Sequence, residues 1–451
     1  TPTAQCLSLC SVLLQMLLCM DILQMSKCEL KLYLNCAFYF HQRSSYLSIR
    51  WLATPKMHVA RGGPLVDTPN LADLLQRDGV KLEVVPEKKG ILFLKHVEYK
   101  LFSKHYKLPV IRRYSDFSVL HTLLLQKFIY RMVPPLPSKH RDCVEGRCRA
   151  LQRFMTLVIR HPILSVDELV KVFMTASSVD VQVKLREVFK RAGDEYMTCP
   201  LATHVKGYIP DDIQSQAEAS REFICNMHSS FQKLRDVTER MSQRTRENSA
   251  DLLMFGKDLR ALGSDASQPP QVAILHPSWK EHRQSLHGLS EEFRVLADKA
   301  VIQGAREEED VVEKLSIFLD LLQSYKDLCD RHKNGIFLEH QRSLQRRRAE
   351  PLTDLLENPE SRLRQQENAI VTMELRSYFS LFCLHQETQL ILTYLPLTTN
   401  ILAAFIQSQI QGHQEVGNQC IGQMISSAWF PPDTMLSCRD SCDLSPSCAF
   451  Y

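Results

Sequence analysis

The chain has 451 residues, 44% hydrophobic and 24% charged, which is the balance of a soluble protein with room for two or three domains. Its net charge of +4 conceals an asymmetry: residues 79–182 carry 18 Lys and Arg against 9 Asp and Glu, and the remainder is slightly acidic. Nine of the 15 cysteines crowd the two ends, and the six between lie scattered without a Cys-x-x-Cys pair, so a disulfide framework and a zinc site are both excluded. One basic module on a near-neutral body points to an anionic partner.

In chain order, residues 1–58 stay unassigned. Leu7 to Met25 is apolar but holds Asp21 and lacks a basic flank, so it fits neither a signal peptide nor a membrane span. Residues 59–78 read as a linker. From Gly79 the pattern sharpens: Val80, Leu82 and Val84 alternate with polar residues as in a half-buried strand, until Pro86. Ile91–Phe102 reads as a second strand and His105–Arg113 as a third, giving an antiparallel meander. Helical spacing follows at Phe117, Leu120, Leu124 and Phe128, then at Leu151, Phe154, Val158 and Ile159, and again at Leu169, Val172 and Phe173. Between the first two helices lies Val133-Pro134-Pro135-Leu136-Pro137-Ser138-Lys139, a stiff loop ending in a positive charge. Residues 79–182 therefore form an α+β module, and 183–210 read as a second linker.

The basic character concentrates at Val110-Ile111-Arg112-Arg113-Tyr114-Ser115-Asp116-Phe117, where a strand ends and a helix opens. Arginine presents a planar fork of donors that matches phosphate oxygens two at a time, and an adjacent tyrosine face suits the apolar side of a sugar-like ring. The Arg-Arg-Tyr-Ser-Asp-Phe element, the Pro-Pro-Leu-Pro-Ser-Lys loop and the Arg147–Phe154 helix start resemble the phox-homology (PX) domain. That resemblance implies phosphatidylinositol 3-phosphate as ligand. Arg113 would hold the 3-phosphate, Tyr114 would lie under the inositol ring, Lys139 would meet the 1-phosphate and Arg147 the ring hydroxyls. Only His140–Gly146 separate the loop lysine from the helix arginine, a shorter stretch than the family usually carries.

Residues 211–417 read as all helix. No proline interrupts 211–268, 278–350 or 360–395, and the first of these gaps would make a helix of about 85 Å. Apolar residues recur at mixed spacings of three and four, as at Phe231, Leu234, Val237 and Met241 or Val312, Leu315, Leu319 and Leu322. Three long helices result, the third interrupted at Pro396, with more apolar face than one chain covers. Residues 418–451 are an unassigned tail.

With Ser290-Glu291-Glu292-Phe293, Leu319–Leu328 and Leu384–Leu390, this arrangement resembles the PX–BAR sorting nexins. The resemblance implies a homodimer that senses or shapes membrane tubules on the cytoplasmic face of early endosomes, during endosome-to-Golgi transport. Arg342, Arg346, Arg347 and Arg348, near a predicted hairpin tip, would then face acidic lipid. No glycine-rich phosphate loop, nucleophile elbow or paired metal ligands are present, so neither enzyme activity, a cofactor nor a metal is expected. Nucleic acid is not expected either, since no reading helix or aromatic RNA platform is present. The competing reading is a coiled-coil scaffold whose PX fold is blind to lipid.

Overall fold

The computed structural model describes residues 79–86, 97–138, 143–176, 180–264, 278–337 and 359–426. The expectations for residues 1–58, for Lys139 and for Arg342, Arg346, Arg347 and Arg348 fall outside them. Three short strands, β1 (Lys81–Val84), β2 (Glu98–Phe102) and β3 (Val110–Arg113), form an antiparallel meander in that order. The register sets Leu82 against Leu101 and Glu98 against Arg113. The third strand is shorter than its sequence suggests. At Ser103 the chain turns instead, and Lys107 takes the left-handed region at φ 57°. The Ser103 carbonyl accepts the Lys107 amide and its hydroxyl accepts the His105 amide, so these donors are used within the turn.

Helices α1 (Tyr114–Lys127), α2 (Val144–Arg160) and α3 (Glu168–Thr175) cover the inner face of the sheet. Phe117 is the hub of this core. It meets Tyr99 and Phe173 edge-on, with ring centroids 6.2 and 5.2 Å apart, beside Leu101, Leu120 and Phe154. Complete burial of each such side chain stabilises the fold by roughly 1.5–3 kcal/mol.

The stretch 183–210, expected to be a linker, is built structure. Helix α4 (Val181–Arg191) closes the same core with Val181 and Leu185. Helix α5 (Glu195–Thr198) and a 3-10 turn at Val205–Tyr208 follow, and Tyr196, Ala202 and Val205 pack with Tyr130, Phe379 and Cys383 in a second cluster. Apolar residues in this stretch thus have partners nearly 200 residues away, which no local period reveals.

The helical region begins with α6 (Ile213–Leu262). A second long run comprises α7 (Ser278–Glu307), a π-turn at Glu308–Val312, α8 (Glu313–Arg331) and a second π-turn at His332–Phe337. Helix α9 (Pro359–Ser426) passes through Pro396 without the expected break. Proline deprives the Leu392 carbonyl of its helical donor, a cost of about 3 kcal/mol. The Pro396 ring faces solvent, and packing on both sides, at Ile391, Tyr394 and Phe405, holds the helix together. Two glycines allow close crossings: a Cβ at position 256 would lie 3.0 Å from the Ser290 carbonyl, and one at position 412 would lie 2.8 Å from the Gln303 side chain.

The α+β module is fastened to the long helices by arginines. Arg153 of α2 donates to Asp320 at 2.8 Å and to Glu313 at 2.9 Å, and Arg149 pairs with Glu313 at 3.0 Å. Arg331 of α8 donates at 2.7 Å to the carbonyl of Arg131. The Arg131 side chain, buried in turn, grips Glu195 at 2.7 Å, Gln386 at 2.8 Å and Glu387 at 3.3 Å. Glu387 also receives His161 Nε2 at 3.0 Å. The Nδ1 atom of His161 accepts two backbone amides, from Ile163 and Leu164, which fixes the ring.

Candidate lipid head-group site

Strand alternation decides what each arginine of the Arg-Arg-Tyr element does. The two guanidinium groups are neighbours in sequence, but β3 turns Arg112 inward and Arg113 outward. Arg112 is 2% exposed. Its Nε and Nη2 atoms donate to the Phe173 carbonyl at 3.1 and 2.7 Å, Nη2 also reaches the Ala176 carbonyl at 2.5 Å, and the guanidinium lies over the Phe173 ring. It thereby satisfies carbonyls that the end of α3 leaves without helical donors. Burial lowers the Arg112 pKa to about 10, against the field of Asp116, and the group remains charged at neutral pH. Arg112 ties the strand to α3 and offers nothing to a ligand.

Arg113 is the outward member, with 44% of its side chain exposed. It ends β3 and precedes α1, where Asp116 in the first turn accepts the Arg113 amide at 2.9 Å and its Nε at 3.4 Å. An acidic residue three positions past the cap is favoured there by the free amides and dipole of the helix start. Gln182 of α4 donates to the other side of the same carboxylate, at 2.7 Å to Oδ1, and to the Ser115 hydroxyl at 3.1 Å.

Tyr114 stands beside Arg113, half-buried, and its hydroxyl donates to the Pro137 carbonyl at 2.6 Å. That bond brings the proline segment to the strand end, two residues short of Lys139. Arg147 lies in the first turn of α2, whose start is capped by the Cys143 thiol accepting the Gly146 amide at 3.3 Å. Burial raises the Tyr114 phenol pKa, and the positive charge of Arg147 opposes the rise, as it does at the buried Tyr99. Arg147 therefore projects its field onto the Tyr114 corner. Arg113, Tyr114 and Arg147 share one edge of the module, and the loop bearing Lys139 leads from it. The exposed Arg113, the partly buried Arg147, a ring and the tethered loop form a corner whose charge suits an anionic, ring-bearing head group.

Asp116 and Gln182 stand directly behind Arg113 without being candidates from the sequence. The spacing of Asp116 from the helix start signals a cap, whereas Gln182 carries no local signal. The six described cysteines are free thiols, and no cluster of three or more metal-ligating side chains occurs among the described residues.

Residues 100–177 match the family model of the PX domain. Sorting nexin-8 of Mus musculus is 51% identical over 407 residues, covering 86% of this chain and 86% of the relative. Sorting nexin-8 of Homo sapiens is 53% identical over 381 residues, covering 81% and 82%. Sorting nexin MVP1 of Yarrowia lipolytica is 29% identical over 303 residues, covering 62% of this chain and 46% of the relative. Among solved structures, the cryo-EM structure of the SNX-BAR Mvp1 tetramer aligns over 77% of this chain and 99% of that chain, with a TM-score of 0.56 at 19% identity, a likeness of fold.

Proposed function

Because the chain belongs to the sorting nexins, a family of non-enzymatic lipid-binding trafficking adaptors, we propose that it is a peripheral protein of early endosomes that binds phosphatidylinositol 3-phosphate through Arg113, Tyr114, Lys139 and Arg147. The hydrogen bond from Tyr114 to the Pro137 carbonyl carries this reading, because it joins the outward arginine and the ring to the loop that leads to Lys139. Arg113 supplies charge-assisted bonds to the 3-phosphate, and the Tyr114 ring supports the inositol. Flotation with liposomes containing phosphatidylinositol, its 3-phosphate or its 4-phosphate tests the assignment. Wild type floats with the 3-phosphate, and Arg113→Ala does not. Equal flotation of the two proteins with 3-phosphate liposomes would sink it.

The BAR-type helices make the protein a homodimer that senses or shapes tubules in endosome-to-Golgi transport. The support is apolar surface that the single chain leaves open: Met254, Phe255 and Leu262 on α6, Val301 and Ile302 on α7, and Ile406 on α9. Within α9, Ile370–Gln419 holds a stretch apolar and long enough to cross a bilayer by composition, yet little of it is buried in one chain. A second copy of the bundle covers such a face without a membrane span. Light scattering of the full chain at micromolar concentration reads twice the monomer mass, and Phe255→Asp with Ile302→Asp returns it to the monomer. Reversing Arg346, Arg347 and Arg348 to Glu weakens binding to strongly acidic liposomes, most at low salt, where screening is least.

A further inference from the structure

The carboxylate behind Arg113 has a geometry that bears on how the head group is read. Asp116 is buried, at 7% side-chain exposure, whereas Arg113 is 44% exposed. Its two oxygens are divided among distinct donors. Oδ2 takes the Arg113 backbone amide at 2.9 Å, and Oδ1 takes the Gln182 amide at 2.7 Å together with Arg113 Nε at 3.4 Å. Gln182 stands on α4, beyond the residues that match the PX model. The contact to Asp116 engages Nε and leaves the Nη1 and Nη2 donors outside that ion pair, available to a phosphate. Without that hold, an exposed arginine samples many rotamers and must give up that freedom on binding, which lowers affinity.

We propose that Asp116 and Gln182 are positioning residues for the head-group site: Gln182 fixes the Asp116 carboxylate, and Asp116 aims the Nη edge of Arg113 at the phosphate monoester. This inference rests on Arg113 as the phosphate-binding group. It adds that recognition depends on α4, so that the helix leading out of the PX core is part of the reading device. An isolated carboxylate beside the phosphate would repel it; here the negative charge is turned inward and shared among three donors, leaving its orienting effect on Arg113.

The test measures binding of soluble short-chain phosphatidylinositol 3-phosphate and 4-phosphate by calorimetry, using the full chain. Gln182→Leu retains the bulk of the side chain and removes the donor. Asp116→Asn retains the shape but cannot accept all three bonds. Each lowers 3-phosphate affinity by roughly three- to tenfold, the scale of one lost hydrogen bond, and narrows the preference over the 4-phosphate. The melting temperature of Gln182→Leu stays within a degree or two of wild type. In an Arg113→Lys background, which lacks the Nε edge, Gln182→Leu has little further effect, as a coupled pair requires. Wild-type affinity in both single variants overturns the inference while leaving the Arg113 assignment standing. An equal loss from Gln182→Leu in wild type and in the Arg113→Lys background overturns it too, by showing that Gln182 acts elsewhere. If wild type itself ignores the 3-phosphate, the functional reading falls first, and that result is separately visible.

Discussion

Arginine does opposite work at the two ends of the segment that runs from β3 through α1. At Arg113 a guanidinium sits partly in solvent with the Asp116 carboxylate behind it and its outer donors outside that ion pair. At Arg131, one helix later, the side chain is 5% exposed and spans two carboxylates and an amide contributed by α5 and α9. The first arrangement keeps binding capacity for an outside anion; the second uses it up to lock the PX domain to the BAR helices. Burial rather than residue type separates the two roles, and strand alternation makes the same division between Arg112 and Arg113.

The sharpest way to break this contrast is to remove the inner partner. Arg131→Ala leaves Glu195 buried without its cation and Glu387 with His161 alone, and it destabilises the protein by about 3–5 kcal/mol. Urea denaturation monitors the loss, with separate melting of the PX and BAR domains as the expected signature. A loss below about 1 kcal/mol would show that the seam does not hold the domains together. Next in size is Arg153→Ala at the rim of the same seam. Its partners Glu313 and Asp320 are partly wet, so the expected loss is roughly 1–2 kcal/mol, read from the same curves.

Acidity discriminates between the buried groups. Burial pushes the pKa values of His121, His228, His332 and His385 below the ordinary histidine value, and at His121 and His228 neighbouring Arg331 and Lys326 push the same way. The unfolded chain therefore takes up protons before the folded one, so stability is greatest above about pH 6.5 and falls as the pH drops towards the folded-state values. Glu387 works in a lower window. Burial alone would raise its pKa, but His161 and Arg131 together hold it below the ordinary range. Its contribution is present above the usual glutamate value and is lost only as the pH falls through its lowered one. Melting temperatures should therefore decline between pH 7.5 and 5.5, and His332→Gln should flatten the decline. An unchanged slope would remove His332 from the account.

The smallest expected change lies at the outer arginine. Arg113→Ala should shift unfolding free energy by no more than about 0.5 kcal/mol, because its ion pair with Asp116 is partly solvated. Urea curves that nearly superimpose, alongside the loss of 3-phosphate binding, would complete the contrast with Arg131.

Much of this was legible in the sequence because it is periodic or local. The alternation at Val80, Leu82 and Val84, the helical spacing from Phe117 and the long proline-free runs correspond to elements in the fold. The junction at Arg113 and Tyr114 was legible because strand alternation stops and helical spacing starts there. The seam was not legible, since Arg131 and Glu387 are 256 positions apart and a buried ion pair leaves no local period. The same holds for Gln182. Leu319 and Leu322, expected at a seam wanting partner helices, are buried within the single chain. Charged residues there should unfold the monomer rather than merely dissociate a dimer, as circular dichroism would register.

The π-turns at Glu308–Val312 and His332–Phe337 have a consequence for phase. A π-turn acts as a residue inserted into an α-helix, and one added residue rotates everything downstream by about 100° around the axis. On either side of the first turn, in α7 and in α8, the second BAR helix packs against α6 and α9. In α8 the same rod also carries Glu313 and Asp320, which receive Arg149 and Arg153. Deleting Glu309 would therefore rotate α8 against α6, α9 and the PX domain together, displacing Leu315, Phe318 and Leu322 from the core as well as Glu313 and Asp320 from their arginines.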